Sequence, residues 1–268
     1  MRFINSNKRE FPRITIITST LNCASALMKT AFSIREQTYK NIQWIVADGA
    51  SMDRTIEVVN QNLDIVTNHF SQADSGIYEA WNKACKFIDG DWTLFLGAGD
   101  ILQASNTIQL CVNKLLTIPE DYNFAFGNIK IQSEHGSYEV QYQGEFNPVW
   151  MDLNYSTPPH SAVFTRSSIL KNCPFDTRLK IIGDKKFMIQ HSNNKYYNLE
   201  TDVTIMDGLG ISHELKNIPL IWNENIMISR DTHKAPLSHK IKAYAANYRN
   251  VFMLGLVGER CYKKWVQK

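Results

Sequence analysis

Three aspartates hold the same relative place in the first hundred residues. Asp48 in VADGAS, Asp74 in QADSG and Asp100 in LFLGAGD each follow an apolar stretch that reads as a β-strand. Thr18 ends a fourth such stretch, the first in the chain. If these strands are parallel, all four residues stand at or beyond their carboxyl ends, the edge along which open α/β sheets bind ligands. One acid after a strand is commonplace and often caps a helix, and Asp48 and Asp74 also suit turns beside Gly49 and Gly76. Three in register point to a ligand site. Gly97-Ala98-Gly99 starts like a GxGxxG fingerprint, but residue 102 is leucine and that motif normally follows the first strand. These glycines read instead as room for the backbone to approach a ligand or metal closely.

The elements that must position these residues alternate regularly. Strands are predicted over 13–18, 42–47, 65–70 and 92–96, and helices over 24–37, 52–60 (entered through Ser51) and 77–88. Such alternation indicates an α/β fold with a mainly parallel, doubly wound sheet flanked by helices. Beyond Asp100 the spacing predicts a helix over 104–116 and a strand pair over 124–132 and 137–143 turning at His135-Gly136. A loop-rich stretch with Pro148, Pro158 and Pro159 follows, then a helix over 184–190, an extended segment over 196–206 and helical signal from 214 onward, broken near Pro236. No linker is rich enough to separate two independent domains.

The 268 residues are 44% hydrophobic and 21% charged, an ordinary globular balance, and a net charge of +3 does not call for a nucleic-acid partner. Five scattered cysteines without a CxxC pair argue against a zinc site or a disulfide framework, and fit a reducing cytosol. The polar N-terminus has no signal-peptide core, and no apolar window of about 18 residues predicts a transmembrane helix.

With these residues placed, the chain resembles the family 2 glycosyltransferases, which have the GT-A fold. The resemblance lies in ITIITSTLNCASAL, SIREQTYKNIQWIVADGASMDRTIEVV, ADSGIYEAWNKACKFIDGDWTLFLGAGD, PPHSAVFTRSSIL and IIGDKKFMIQ. Within the family it looks most like enzymes of bacterial capsule, O-antigen and exopolysaccharide assembly. The resemblance implies a GT-A domain over 1–212, with a nucleotide-binding half (1–103) and an acceptor half (104–212), then a helical extension over 213–268. It implies inverting transfer of a sugar from a nucleotide-sugar, UDP-linked as the commoner case, to a hydroxyl of a lipid-linked or oligosaccharide acceptor. Thr18, Ser19, Thr20 and Asp48 would line the base and ribose; Asp74, Gly76, Asn82, Lys83 and Gly99 would border the same pocket and the diphosphate. Asp100 would be the surviving acid of the Asp-x-Asp motif and bind Mg²⁺ or Mn²⁺. Asp184 falls where the family places its general base; the alternative is a helix N-cap after Gly183.

Two departures from the family pattern stand out. Residue 98 is alanine, so the first acid of Asp-x-Asp is absent, and Lys185-Lys186 follow Asp184 where relatives tend to have an aromatic and an acid. A lysine that close is expected to lower the Asp184 pKa. His160 in TPPHSAVF and His213 in GLGISH are candidates for acceptor, phosphate or metal contacts, and Trp150 and Tyr155 for stacking on a sugar. From Lys240 onward, Lys240, Lys242, Arg249, Arg260, Lys263, Lys264 and Lys268 interleave with aromatics such as Tyr244, Tyr248, Tyr262 and Trp265. That composition suits an anionic membrane surface, and implies a peripheral position on the cytoplasmic face; a packed terminal helix is the other reading. A sugar-1-phosphate nucleotidyltransferase and a non-catalytic nucleotide-sugar-binding module are the alternative functions. The first would want a Gly-rich, basic loop after the first strand, which STLNCAS lacks.

Overall fold

The computed structural model describes residues 11–133, 136–140, 158–193, 195–207 and 215–232. Four strands, β1 (Ile14–Thr20), β2 (Ile42–Asp48), β3 (Val66–Ser71) and β4 (Trp92–Phe95), form a parallel half-sheet in the order β3-β2-β1-β4. The central β1 and β2 are buried almost without interruption because both their faces are covered. Successive side chains point to opposite faces. Ile14, Ile16, Trp44 and Leu94 meet Leu27, Ile34 and Val58 on one side. Ile17, Ile45 and Phe95 meet Tyr78, Trp81 and Ala84 on the other. The first layer is built by α1 (Ala24–Arg35) and α2 (Thr55–Gln61), the second by α3 (Ile77–Cys85).

The second half extends this sheet. A two-residue strand β5 (Ile101–Leu102) and α4 (Thr107–Leu115) lead into the hairpin β6 (Phe124–Ser133) and β7 (Gly136–Val140). A 3₁₀ turn at His160–Ala162 enters β8 (Val163–Arg166), followed by α5 (Ser167–Asn172), α6 (Gly183–His191), β9 (Tyr197–Asp207) and α7 (Ile218–Thr232). The full order is β3-β2-β1-β4-β8-β6-β9-β5. β8 runs antiparallel to both β4 and β6, and β9 parallel to β6, so the expected mainly parallel, helix-flanked sheet stands, with antiparallel pairs beginning where β8 joins β4.

Several boundaries move for local reasons. α2 starts at Thr55 rather than at 52: Asp53 Oδ1 accepts from Thr55 N at 2.9 Å, while the Ser51 hydroxyl is taken by Asp48 at 2.5 Å. α4 starts three residues later than expected, where Thr107 Oγ1 accepts from Ala104 N at 2.9 Å. The helical signal from 214 resolves into a 3₁₀ turn at Leu215–Asn217 and α7. Trp150, Tyr155, His213 and the basic-aromatic tail lie outside the described residues. Among the described residues, no helix is long and apolar enough to cross a membrane.

Candidate functional site

The carboxyl edge of the parallel strands carries the first group. Asp48, the last residue of β2, is 1% exposed and its carboxylate accepts four hydrogen bonds. Oδ1 takes Thr20 Oγ1 at 2.9 Å and Ser51 Oγ at 2.5 Å; Oδ2 takes Ser71 Oγ at 2.6 Å and Ser51 N at 2.9 Å. Burial pushes this carboxyl up, but the Ser51, Ser71 and Thr20 donors outweigh it and hold the pKa below the usual range. Asp48 therefore ties the ends of β1, β2 and β3 together. Asp74 Oδ1 accepts from Gly76 N at 2.9 Å, and its Oδ2 faces Gly49, where a Cβ would stand 3.1 Å away. Gly76 has a φ of +138°, which favours glycine.

Thr18 is a correction. It is fully buried, and its hydroxyl accepts from Trp44 Nε1 at 3.0 Å, so the side chain belongs to the core rather than to the pocket wall. Ser19, on the opposite face of β1, accepts from Trp81 Nε1 at 3.3 Å. Asn82 bridges to the backbone of Phe175 with both its amide atoms, at 2.8 and 2.9 Å. Lys83 Nζ pairs with Glu79 at 2.9 Å and donates to Ala73 O at 3.1 Å, beside the Asp74 loop.

The GAGD turn is held by a residue that sequence reasoning did not single out. Thr30 of α1, fully buried, accepts from Gly99 N at 2.9 Å and donates to Asp100 O at 2.9 Å, with Gly97 O at 3.3 Å. Gly99 has a φ of +103°, and a Cβ at Gly97 would stand 2.9 Å from Asp100 Oδ2. Gly99 is thus favoured by its backbone conformation, and a side chain at Gly97 would displace the Asp100 carboxylate. A groove of about 1090 Å³ opens between α1 and α2 and reaches Gly99 and Ile101; Asp48, Asp74 and Asp184 are not in its walls.

Asp184 is the second residue of α6, and Ile182 is the N-cap, so the N-cap alternative falls. The Tyr78 hydroxyl donates to Ile181 O at 2.7 Å and lies 3.1 Å from Asp184 Oδ1. His160 Nδ1 stands 3.5 Å from Asp184 Oδ2, an ion-pair distance at the limit of hydrogen bonding. The imidazole is 9% exposed and packed between Trp81 and Phe95, with ring centroids at 4.8 and 4.7 Å. Burial pushes the Asp184 carboxyl up, yet His160, the Lys185 backbone N–H and Tyr78 bring it below its ordinary value. The expected lowering by a lysine side chain takes another route: Lys186 pairs with Asp176 at 2.6 Å and Asp231 at 2.5 Å, and Lys185 Nζ donates to Asn225 at 2.9 Å. Gly183 is needed because its missing Cβ would meet the Tyr78 ring at 2.8 Å.

One contact joins the two groups. Lys180 Nζ donates to Ser75 O at 2.8 Å, tying the segment before Asp184 to the Asp74 loop. The edge therefore offers an ionised, partly accessible carboxylate, a neighbouring imidazole, and glycine-bordered loops with aspartates and a lysine. Such a set can take a proton from a hydroxyl and accommodate phosphate groups.

Comparison with known proteins gives a consistent result. The family model for Glycosyl transferase family 2 matches residues 15–172. A PGL/p-HBAD biosynthesis glycosyltransferase of Mycobacterium bovis is 28% identical over 187 residues, 68% of this chain and 71% of that protein. The Escherichia coli UDP-Glc:alpha-D-GlcNAc-diphosphoundecaprenol beta-1,3-glucosyltransferase WfgD is 27% identical over 44% of this chain and 46% of its own length. Among solved structures, glucosyl-3-phosphoglycerate synthase from Mycobacterium tuberculosis, in complex with Mn²⁺, UDP and glucosyl-3-phosphoglycerate, superposes with a TM-score of 0.58. It is 15% identical, and the match covers 84% of this chain and 81% of that one. The sheet is thus of GT-A type.

Proposed function

The chain belongs to glycosyl transferase family 2, and on that premise we propose that it moves a sugar, with inversion, from a UDP-sugar to a hydroxyl of a lipid-linked or oligosaccharide acceptor in bacterial surface polysaccharide synthesis. The observation that carries this reading is Asp184: a carboxylate kept ionised by His160 and Tyr78 at the rim of the sheet, 20% exposed and joined through Lys180 to the Asp74 loop. Asp184 takes the proton of the attacking hydroxyl, a contribution of about 10²–10⁴-fold. Attack opposite the departing diphosphate inverts the anomeric centre. Asp74, Gly76 and Lys83 border the nucleotide; Asp48 shapes that wall by holding Thr20, Ser51 and Ser71.

Asp100 fits a divalent cation shared with a diphosphate. It presents one carboxylate at a pinned turn, and Mg²⁺ commonly takes only one or two protein carboxylates together with phosphates and water. Among the described residues, no three His, Cys, Asp or Glu side chains converge to hold an ion by themselves. When bound, Mg²⁺ or Mn²⁺ supplies Lewis-acid neutralisation of the leaving diphosphate. WfgD, named for a UDP-Glc donor and a diphosphoundecaprenol acceptor, supports the donor and acceptor classes. The basic and aromatic residues after 240 support docking on the cytoplasmic face of an anionic membrane; deleting them is expected to reduce binding to anionic liposomes.

Melting the protein with UDP, UDP-glucose, UDP-GlcNAc and GDP-mannose, with and without Mn²⁺, tests the reading. At about 100 times Kd, binding adds about 2.7 kcal/mol, which raises Tm by about 5–10 °C. A UDP-sugar shift that grows with Mn²⁺ and is lost in Asp100→Ala is expected. No shift with any nucleotide contradicts the proposal.

A further inference from the structure

Glu224 lies on α7, well outside the residues matched by the family model, and its side chain is 1% exposed. A buried carboxylate needs strong partners. Glu224 finds them in three consecutive backbone N–H groups just ahead of Asp184. Oε1 accepts from Lys180 N, and from Ile181 N at 3.3 Å; Oε2 accepts from Ile181 N at 3.1 Å and Ile182 N at 2.9 Å. Ile182 is the N-cap of α6, so the carboxylate also sits at the positive end of the helix that carries Asp184.

The same segment is gripped from its carbonyl side. Tyr78 donates to Ile181 O at 2.7 Å while touching Asp184 Oδ1 at 3.1 Å. α7 in turn is fastened to α6. Asp231 pairs with Lys186 at 2.5 Å and with Arg178 at 3.0 Å, Asp176 pairs with both cations at 2.6 Å, and Asn225 accepts from Lys185 at 2.9 Å. Lys185 and Lys186 immediately follow Asp184. Beside the Tyr78, His160 and Ser75 contacts, further anchors of this stretch therefore run to α7 and to the Asp176 turn. Residues 180–186 form a bracket with Asp184 at its centre.

We propose that Glu224 is a positioning residue that fixes where the Asp184 carboxylate stands, so that α7 completes the active site. This rests on the reading of Asp184 as general base. A carboxylate is suited to the task in a way an amide is not. Its two oxygens accept from all three N–H groups, whereas glutamine offers one acceptor oxygen and brings an N–H₂ against N–H donors. Misplacement of a reacting group by about 1 Å costs about 10²-fold in rate, so loosening the bracket shows in turnover before it shows in substrate affinity.

The test is a double-mutant cycle on the full chain with Glu224→Gln, Asp184→Asn and the double variant, plus Glu224→Asp, which keeps the charge and shortens its reach. Turnover is read as UDP release from UDP-glucose in the presence of Mn²⁺ and a GlcNAc-diphospholipid. Hydrogen exchange is read at the amides of residues 180–182 and, as an internal control, of β1 and β2. Glu224→Gln is expected to lower kcat about tenfold or more while donor KM stays within about twofold. Exchange at 180–182 accelerates, and that of β1 and β2 does not. Added to Asp184→Asn, the glutamine costs nothing further, because the group it positions is already gone. Glu224→Asp loses less than Glu224→Gln. The inference is overturned if Asp184→Asn is inactive but Glu224→Gln keeps wild-type kcat, or if the two losses multiply. If Asp184→Asn itself retains normal turnover, the base assignment falls, and this inference with it.

Discussion

Replacing Thr30 with valine removes one hydroxyl while keeping the shape of the side chain. In the native turn that hydroxyl accepts from Gly99 N and donates to Asp100 O, both at 2.9 Å, in a fully buried setting. The valine leaves a buried N–H without its acceptor, which costs about 1–3 kcal/mol. Taking about 2 kcal/mol, Tm falls by about 4–8 °C in a domain of this size. Thr30→Ser, which keeps the hydroxyl, restores most of that. A second consequence is local: Asp100 loses its fixed position, so the Mn²⁺-dependent part of UDP stabilisation shrinks more than the Mn²⁺-independent part. Melting curves of the three proteins, with UDP and with or without Mn²⁺, read both effects. A Thr30→Val protein that melts within about 1 °C of wild type and responds equally to Mn²⁺ would refute the assignment of Thr30 as the pin of this turn.

Gly183→Ala drives a Cβ to 2.8 Å from the Tyr78 ring; overpacking of this kind costs about 1–3 kcal/mol, so melting temperature and turnover should fall together. Ala98→Asp rebuilds the paired acids and is expected to tighten Mn²⁺ binding in the presence of UDP about fivefold or more, as measured by titration calorimetry. Asp48 has its folded pKa below its unfolded value of about 3.8. Its contribution to stability is therefore full above that value and is lost as pH falls through the lower folded one. Urea denaturation across the acid range should show the stability gap between wild type and Asp48→Asn closing as pH falls; a gap that widens contradicts the hydrogen-bond assignment.

The parallel half of the fold is legible because β1, β2 and β4 are rich in β-branched and aromatic residues and alternate with segments of helical spacing. β8 escapes a sequence reading because Val163–Arg166 is only four residues long and comes soon after Pro158-Pro159, so it reads as loop. Two-residue β5 has no periodicity to detect. Within the candidate site, Asp48, Asp74 and Asp100 stand out in the sequence as acids at or beyond the ends of strands. Thr18 looks like its neighbours in sequence, but strand alternation turns it toward Trp44 and Ser19 toward Trp81. Thr30 and Tyr78 lie inside predicted helices with nothing in the sequence to mark them, and only tertiary contact reveals what their hydroxyls hold. Glu224 offers no sequence signal: its partners are backbone amides more than 40 residues away, and an acid on a helix ordinarily faces water.

The proposed role of Asp184 is to assist direct displacement at the anomeric carbon. The most direct measurement is the anomeric configuration of the product, read by proton NMR after transfer from an α-linked UDP-sugar. A β-linked product is predicted. An α-linked product would contradict single displacement and remove the role given to Asp184.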